Sequence, residues 1–285
     1  MLVRRIIDGI KRAAFLLKRR IFSSTYKLLF EKRIKQKSAC PICQSDGAFE
    51  YYNGKYVILK CVACKHAYVN TMNAIPRDDI KRMYSSFDYW KRNCFHQNIF
   101  NIDSENEFKD FVSSRVRKLQ ELQAYPDFET SQKKVKIIEI GCSEAALLKH
   151  FYDKGGEVIG CDINEEIIKR ASAQYKFPLI AGDFLTYRFN DTYDLVVSFH
   201  TLEHITDIVS AVSRFCEILN SGGKVVVEVP FGPEEYNNLE HFHFFSLSSL
   251  KLLFSKFFSD IEIKENYYLT ASKIKCGAYY LVGKK

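Results

Sequence analysis

The chain has no apolar run approaching the ~20 residues that span a bilayer, and the stretch nearest the N-terminus, 13–17, is cut off by Lys18. A membrane-spanning helix and a secretory leader are therefore not expected, and the sequence reads as cytoplasmic. Proline (6) and glycine (13) are too scarce for a disordered or low-complexity chain. No internal repeat is visible. Glycine is also scarce at one telling place. In "KIIEIGCSEAALLKHF" (136–151) an apolar run leads into an amphipathic helix, and the turn where a nucleotide-binding loop would sit holds only Gly141. Cysteine, by contrast, is plentiful. Nine in a cytoplasmic chain are expected to be free thiols or metal ligands rather than disulfides.

With 47% hydrophobic and 14% aromatic residues, the 285-residue chain can bury a sizeable core, as one large domain or a domain plus a small module. The net charge of +8 is unevenly placed. Residues 1–37 hold twelve Lys/Arg and two acids, giving +10; the other 30 basic and 32 acidic residues give −2. In that arm Val3, Ile6, Ile7, Ile10, Ala14, Leu17 and Ile21 recur at three- and four-residue steps, the pattern of a basic amphipathic helix. Such a helix can pack on its own protein, lie on an anionic membrane surface or grip nucleic-acid phosphates. Peripheral contact with the inner membrane surface is the functional expectation taken from it.

"CPIC" and "CVAC" place Cys40, Cys43, Cys61 and Cys64 in a C-x2-C-x17-C-x2-C pattern. Each pair offers two thiolates from one tight turn, and two turns complete a tetrahedral zinc site. Two β-rich runs flank Asn53-Gly54 between the pairs, a hairpin signal. A zinc ribbon with a structural Zn2+ is expected over 38–72, because protein ligands fill all four positions. A helical linker is expected over 73–132.

From 133 onward apolar runs alternate with helical patterns: 135–140, 158–161, 179–180, 195–199 and 224–229. Continuously apolar strands separated by helices predict a doubly wound, mostly parallel Rossmann-like sheet. The last two runs alternate more and predict an antiparallel edge. In such sheets ligands sit at the carboxyl ends of the strands. Those ends carry Gly141, then Asp162, then Asp183 with Phe184, then His200, Glu203 and His204, then "VPFG". An Asp at a strand end suits ribose hydroxyls, and an aromatic beside one suits an adenine ring.

The order "EIGC…", "VIGCDIN", "AGDF", "YDLVVSFHTLEHITD", "LNSGGKVVVEVP" resembles class I S-adenosylmethionine (SAM) methyltransferases. "CPIC…KCVACKHAYVN…IPRDDIKRMYSS" and "LEHFHFFSLSSLKLLFSKFFSDIEI" resemble a subgroup with an N-terminal zinc ribbon that works in sugar and glycan pathways, sugar C-methyltransferases among them. The resemblance covers about 38–285 and leaves the arm outside. It implies SAM as cofactor, with Glu139 and Gly141 beneath the methionine, Asp162 on the ribose, Asp183 and Phe184 framing the adenine, and His200 near the methionine end. Cys142, Ser143 and Ile163 count among the cofactor positions. Ser143 and Ala145 stand where the family prefers glycine. The resemblance also implies an acceptor-side histidine at His204 and a Glu-His pair at Glu240 and His241. His241 is the first choice of base, His204 the second, and Asn238 replaces a family tyrosine.

The leading expectation is methyl transfer to a sugar, nucleotide sugar or lipid-linked glycan. An RNA methyltransferase gripping RNA through the ribbon and arm is the second. A non-catalytic binding protein that keeps the fold is the third.

Overall fold

A computed structural model describes residues 37–72, 75, 77–85, 105–129, 133–269 and 275–285. The basic arm lies outside the described residues. Two sheets carry the molecule. The first strands are β1 (Gly47–Tyr52), β2 (Val57–Cys61) and β3 (Ala67–Val69), followed by helices α1 (Arg77–Ser85) and α2 (Glu105–Glu121). The larger sheet follows as β4 (Lys136–Ile140), α3 (Ala146–Asp153), β5 (Glu157–Asp162), α4 (Glu165–Gln174), β6 (Leu179–Ala181), β7 (Tyr193–Phe199), α5 (Ile208–Glu217) and β8 (Leu219–Phe231). The chain ends with β9 (His243–Phe244), α6 (Leu247–Phe254), β10 (Ser259–Leu269) and β11 (Lys275–Lys284).

The larger sheet has seven strands in the order β10-β11-β8-β7-β4-β5-β6. The β6-β5-β4-β7-β8 portion is parallel, and β11 and β10 add antiparallel strands at one edge. Ile137, Ile138, Val196, Val197, Val226 and Val227 are fully buried along its centre. Each such side chain contributes about 1.5–3 kcal/mol against its exposed state. The helices start where the sequence caps them. The Asn164 side chain accepts the Glu166 and Ile167 N–H groups at α4, Asp207 accepts the Ser210 N–H at α5, and Ser246 forms a capping box with Ser249 at α6. Strand order reverses at β4, which has β5 on one side and β7 on the other, so a crevice opens at their carboxyl ends.

The smaller sheet, β1-β2-β3-β9, is antiparallel. Its fourth strand comes from the C-terminal part of the chain, after β8: Ala67 pairs with Phe244 and Tyr68 with His243. Cysteines 40, 43, 61 and 64 converge beside the β1–β2 hairpin, with Sγ separations of 3.6 Å (Cys40–Cys64), 3.4 Å (Cys43–Cys61) and 3.6 Å (Cys43–Cys64). His66 is buried at the joint. Its Nε2 lies 3.0 Å from His243 Nδ1, and His243 Nε2 donates to the Thr206 carbonyl at 3.3 Å. His243 therefore ties the smaller sheet to the loop that precedes α5.

Candidate active site

The first rim of the crevice is made mostly by backbone. After β4, Gly141 takes φ 75°, Ser143 φ 46° and Ala145 φ 59°. Gly141 is needed for space as well as conformation, because a Cβ there would lie 2.1 Å from Thr201 Oγ1. Ser143 and Ala145 hold the left-handed conformation that the glycines they replace would adopt more readily. Cys142 is buried and points its thiol at β5, where Gly160 leaves room for it. The Asp162 carboxylate closes the turn. Ser143 N–H donates to Oδ2 and Asn164 N–H to Oδ1, both at 2.9 Å. Burial pushes the Asp162 pKa up, against those two hydrogen bonds.

A cofactor with a ribose and a carboxylate fits this rim. A carboxylate has about four lone-pair sites, so Asp162 can still accept from ribose hydroxyls. Helix α3 follows Ala145 with no side-chain cap from that residue and no acid in its first turn, an N-terminus that favours an anionic ligand. Glu139 is 4% exposed, and its Oε2 has no hydrogen-bond partner. Burial raises its pKa to about 8, Asp162 adds to the rise, and Arg115 opposes it. Ile163 is half-buried between Asp162 and the helix cap Asn164. Asp183 Oδ1 accepts the Leu185 N–H at 2.9 Å. The Phe184 ring is buried and stacks on Phe215 with centroids 5.4 Å apart, so one of its faces is occupied by core.

The second rim follows β7 and β8 and is made by side chains. His200, at φ 50°, donates from Nε2 to Glu228 Oε1 at 2.8 Å, and its Nδ1 lies 3.5 Å from Glu203 Oε1. Burial favours neutral His200, but the two glutamates override it and raise its pKa to about 10. Glu228 also accepts from the Tyr280 hydroxyl at 2.6 Å, and the Lys118 ammonium lies over that tyrosine ring. His204 Nδ1 lies 3.1 Å from the Glu240 carbonyl and 3.0 Å from the Tyr84 hydroxyl, which itself donates to that carbonyl at 2.9 Å. A carbonyl only accepts, so Nδ1 carries the proton and Nε2 is bare. Burial lowers the His204 pKa to about 4. His241 packs edge-on against His204, with ring centroids 4.7 Å apart. Its Nδ1 lies 3.2 Å from Glu235 Oε2 and its Nε2 3.0 Å from the Asn238 amide nitrogen.

The structure thus brings Glu203, His204, Glu240 and His241 to one rim and Gly141, Ser143 and Asp162 to the other. Sequence reasoning missed Tyr84, Arg115, Glu228, Glu235 and Tyr280. Glu228 carried a visible signal, a lone charge inside the apolar "VVVEVP". Arg115, whose guanidinium lies 4.9 Å over the Phe199 ring, carried none.

The parallel sheet with its antiparallel edge is a Rossmann-like α/β fold. Residues 138–227 match the family described as Methyltransferase domain. An uncharacterized methyltransferase of Alkaliphilus oremlandii is 27% identical over 203 residues, which is 66% of this chain and 90% of that one. The mitochondrial ubiquinone biosynthesis O-methyltransferase of Homo sapiens is 27% identical over 103 residues, 33% of this chain and only 28% of that protein. The crystal structure of a SAM-dependent methyltransferase from Archaeoglobus fulgidus shares the fold, with a TM-score of 0.51 and 19% identity over 64% of this chain and 97% of that one. The protein carries a methyltransferase domain and is a methyltransferase enzyme. Among the described residues, no helix is long and apolar enough to cross a membrane.

Proposed function

We propose that the methyl acceptor is a sugar, nucleotide sugar or lipid-linked glycan. The observation that carries this reading is the polar character of the second rim. Glu203, His204, Glu235, Asn238, Glu240 and His241 gather there over a short stretch of the crevice. A polyhydroxylated acceptor can exchange hydrogen bonds with such groups, which an apolar one cannot do. The chain outside the basic arm carries −2, which argues against a phosphate-rich RNA acceptor.

Bound SAM supplies a methyl group on a sulfonium, ready for in-line displacement. The protein's own part is mostly orientation. Asp162 and the Gly141–Ala145 turn hold the cofactor on the first rim, and Tyr84 holds His204 and the Glu240 backbone on the second. His241, with Glu240 and His204 beside it, is the basic group placed to take a proton from the acceptor. The four cysteines fit a structural zinc ion, since Zn–S bonds of about 2.3 Å in a tetrahedron put sulfurs about 3.8 Å apart and the observed separations are 3.4–3.6 Å. For residues 1–37 the reading is peripheral attachment to an anionic membrane, which would bring the enzyme to a lipid-linked acceptor.

The test is methyl transfer from labelled SAM onto a panel of nucleotide sugars and lipid-linked glycans. On the acceptor found, His241→Ala is expected to keep SAM binding and to lose turnover by roughly 10²–10⁴-fold. Full activity of that variant would remove His241 from the chemistry. Transfer to RNA alone would overturn the acceptor.

A further inference from the structure

Among the described residues two clusters bring three or more His, Cys, Asp or Glu donors together. One is the four cysteines; the other is Glu203, His204 and His241, whose donor atoms all lie within 4.8 Å of one another. The second cluster has features that a simple hydrogen-bonded network lacks. Glu203 is fully buried, yet neither carboxylate oxygen has an aligned hydrogen-bond partner. Its Oε1 faces the bare Nε2 of His204 at 3.9 Å. The same Oε1 lies 3.5 Å from His200 Nδ1, and a carboxylate oxygen facing an unprotonated imidazole nitrogen across such a gap leaves a place for a cation. The buried Nδ1 of His241 also has no aligned hydrogen bond, and Glu235 Oε2 lies 3.2 Å from it as a further oxygen.

We propose that Glu203, His204 and His241 bind a divalent metal ion at the acceptor rim, distinct from zinc at the cysteines. The donor set, one carboxylate oxygen and two imidazole nitrogens, suits Mn2+, Fe2+ or Zn2+. Metal–ligand bonds of about 2.0–2.2 Å require ligand atoms to be about 3.4 Å apart in a tetrahedron, so the 3.9 Å gap closes with a small side-chain movement. The second coordination layer is already built. His204 Nδ1 is held by the Glu240 carbonyl and the Tyr84 hydroxyl, which fixes the ring with Nε2 towards the ion. Metal on His241 Nδ1 places that ring's proton on Nε2, so the Asn238 amide must swing away and release the Glu240 N–H that its Oδ1 accepts at 3.1 Å. The His204 side chain is 18% exposed, so solvent reaches one side of the cluster. There the ion would take an acceptor oxygen and favour loss of its proton. This inference rests on placing the acceptor at this rim. It makes His204 and His241 ligands, in place of the base role proposed for His241 above, and the proton is released to solvent.

The experiment uses the full chain, stripped with a mild chelator and titrated with Mn2+, which avoids thiolates, by calorimetry and electron paramagnetic resonance. One Mn2+ per chain is expected, bound at least about tenfold more weakly in Glu203→Gln and in His241→Ala. Zinc content from the cysteines and SAM binding should stay at wild-type levels in both variants. No Mn2+ uptake by the wild type, or unchanged uptake in both variants, overturns the site. If Glu203→Gln does not fold, His241→Ala decides alone. Mn2+ binding without methylation of any sugar leaves the ion and removes the glycan acceptor, and sugar methylation without any bound ion does the reverse.

Discussion

The two rims of the crevice are built in different ways. The rim proposed for the cofactor is a run of near-consecutive residues shaped by backbone: Gly141, Ser143 and Ala145 at positive φ, with Asp162 pinning two N–H groups. The rim proposed for the acceptor is assembled by side chains from residue 84, residues 200–204, residue 228 and residues 235–241. A backbone-built rim can be read locally and tolerates little change in shape. A side-chain-built rim can change its chemistry while the fold stays.

The contrast can be broken at three points, starting with the largest effect. Gly141→Ala is expected to destabilise the protein by about 2–4 kcal/mol, from left-handed strain and crowding together, as measured by chemical denaturation. Thr201→Ala in the same chain should restore part of that loss, because Thr201 is what the new methyl group would strike. A Gly141→Ala variant as stable as the wild type would refute the backbone account.

Next is the pH dependence of Glu139. Its folded pKa is raised from 4.5 to about 8 by burial. Between those values the folded chain keeps a proton that the unfolded chain has released, so stability should fall as pH rises from about 4.5 to about 8 and then level off. Glu139→Gln should flatten this slope by more than about 1.4 kcal/mol across the window, the equivalent of one pKa unit. An unchanged slope would show that Glu139 is compensated at this rim.

The smallest effect is expected for Ala145→Gly. Relief of left-handed strain gains about 1–2 kcal/mol. The lost methyl burial costs about 0.8 kcal/mol, and the freer unfolded chain about 0.4–1 kcal/mol. The melting midpoint should therefore correspond to a change within about 1 kcal/mol, with SAM affinity changed less than about threefold. A larger gain in affinity would mean that the non-glycine loop is a functional handicap rather than a neutral variant.

These differences in construction also decide what the sequence revealed. Asp162 and Gly141 each follow an apolar run by one residue, so strand-end logic finds them, and the parallel order with its antiparallel edge follows from the same runs. Tyr84 touches His204 across 120 residues, and no local pattern announces such a contact. Phe184 was placed at the right strand end, but its packing on Phe215 depends on where α5 lands. The cysteine spacing foretold the convergence of the four thiols. It did not foretell that the hairpin sheet would take its last strand from His243–Phe244.

That borrowed strand has a consequence for how the protein is made. His66 meets its partner 177 residues later in the chain. Until that late segment has left the ribosome, β3 stands as a bare edge, with backbone donors and acceptors open to any other strand. The newborn chain is therefore most prone to sticking to its neighbours after the cysteine hairpin has formed and before residue 244 emerges.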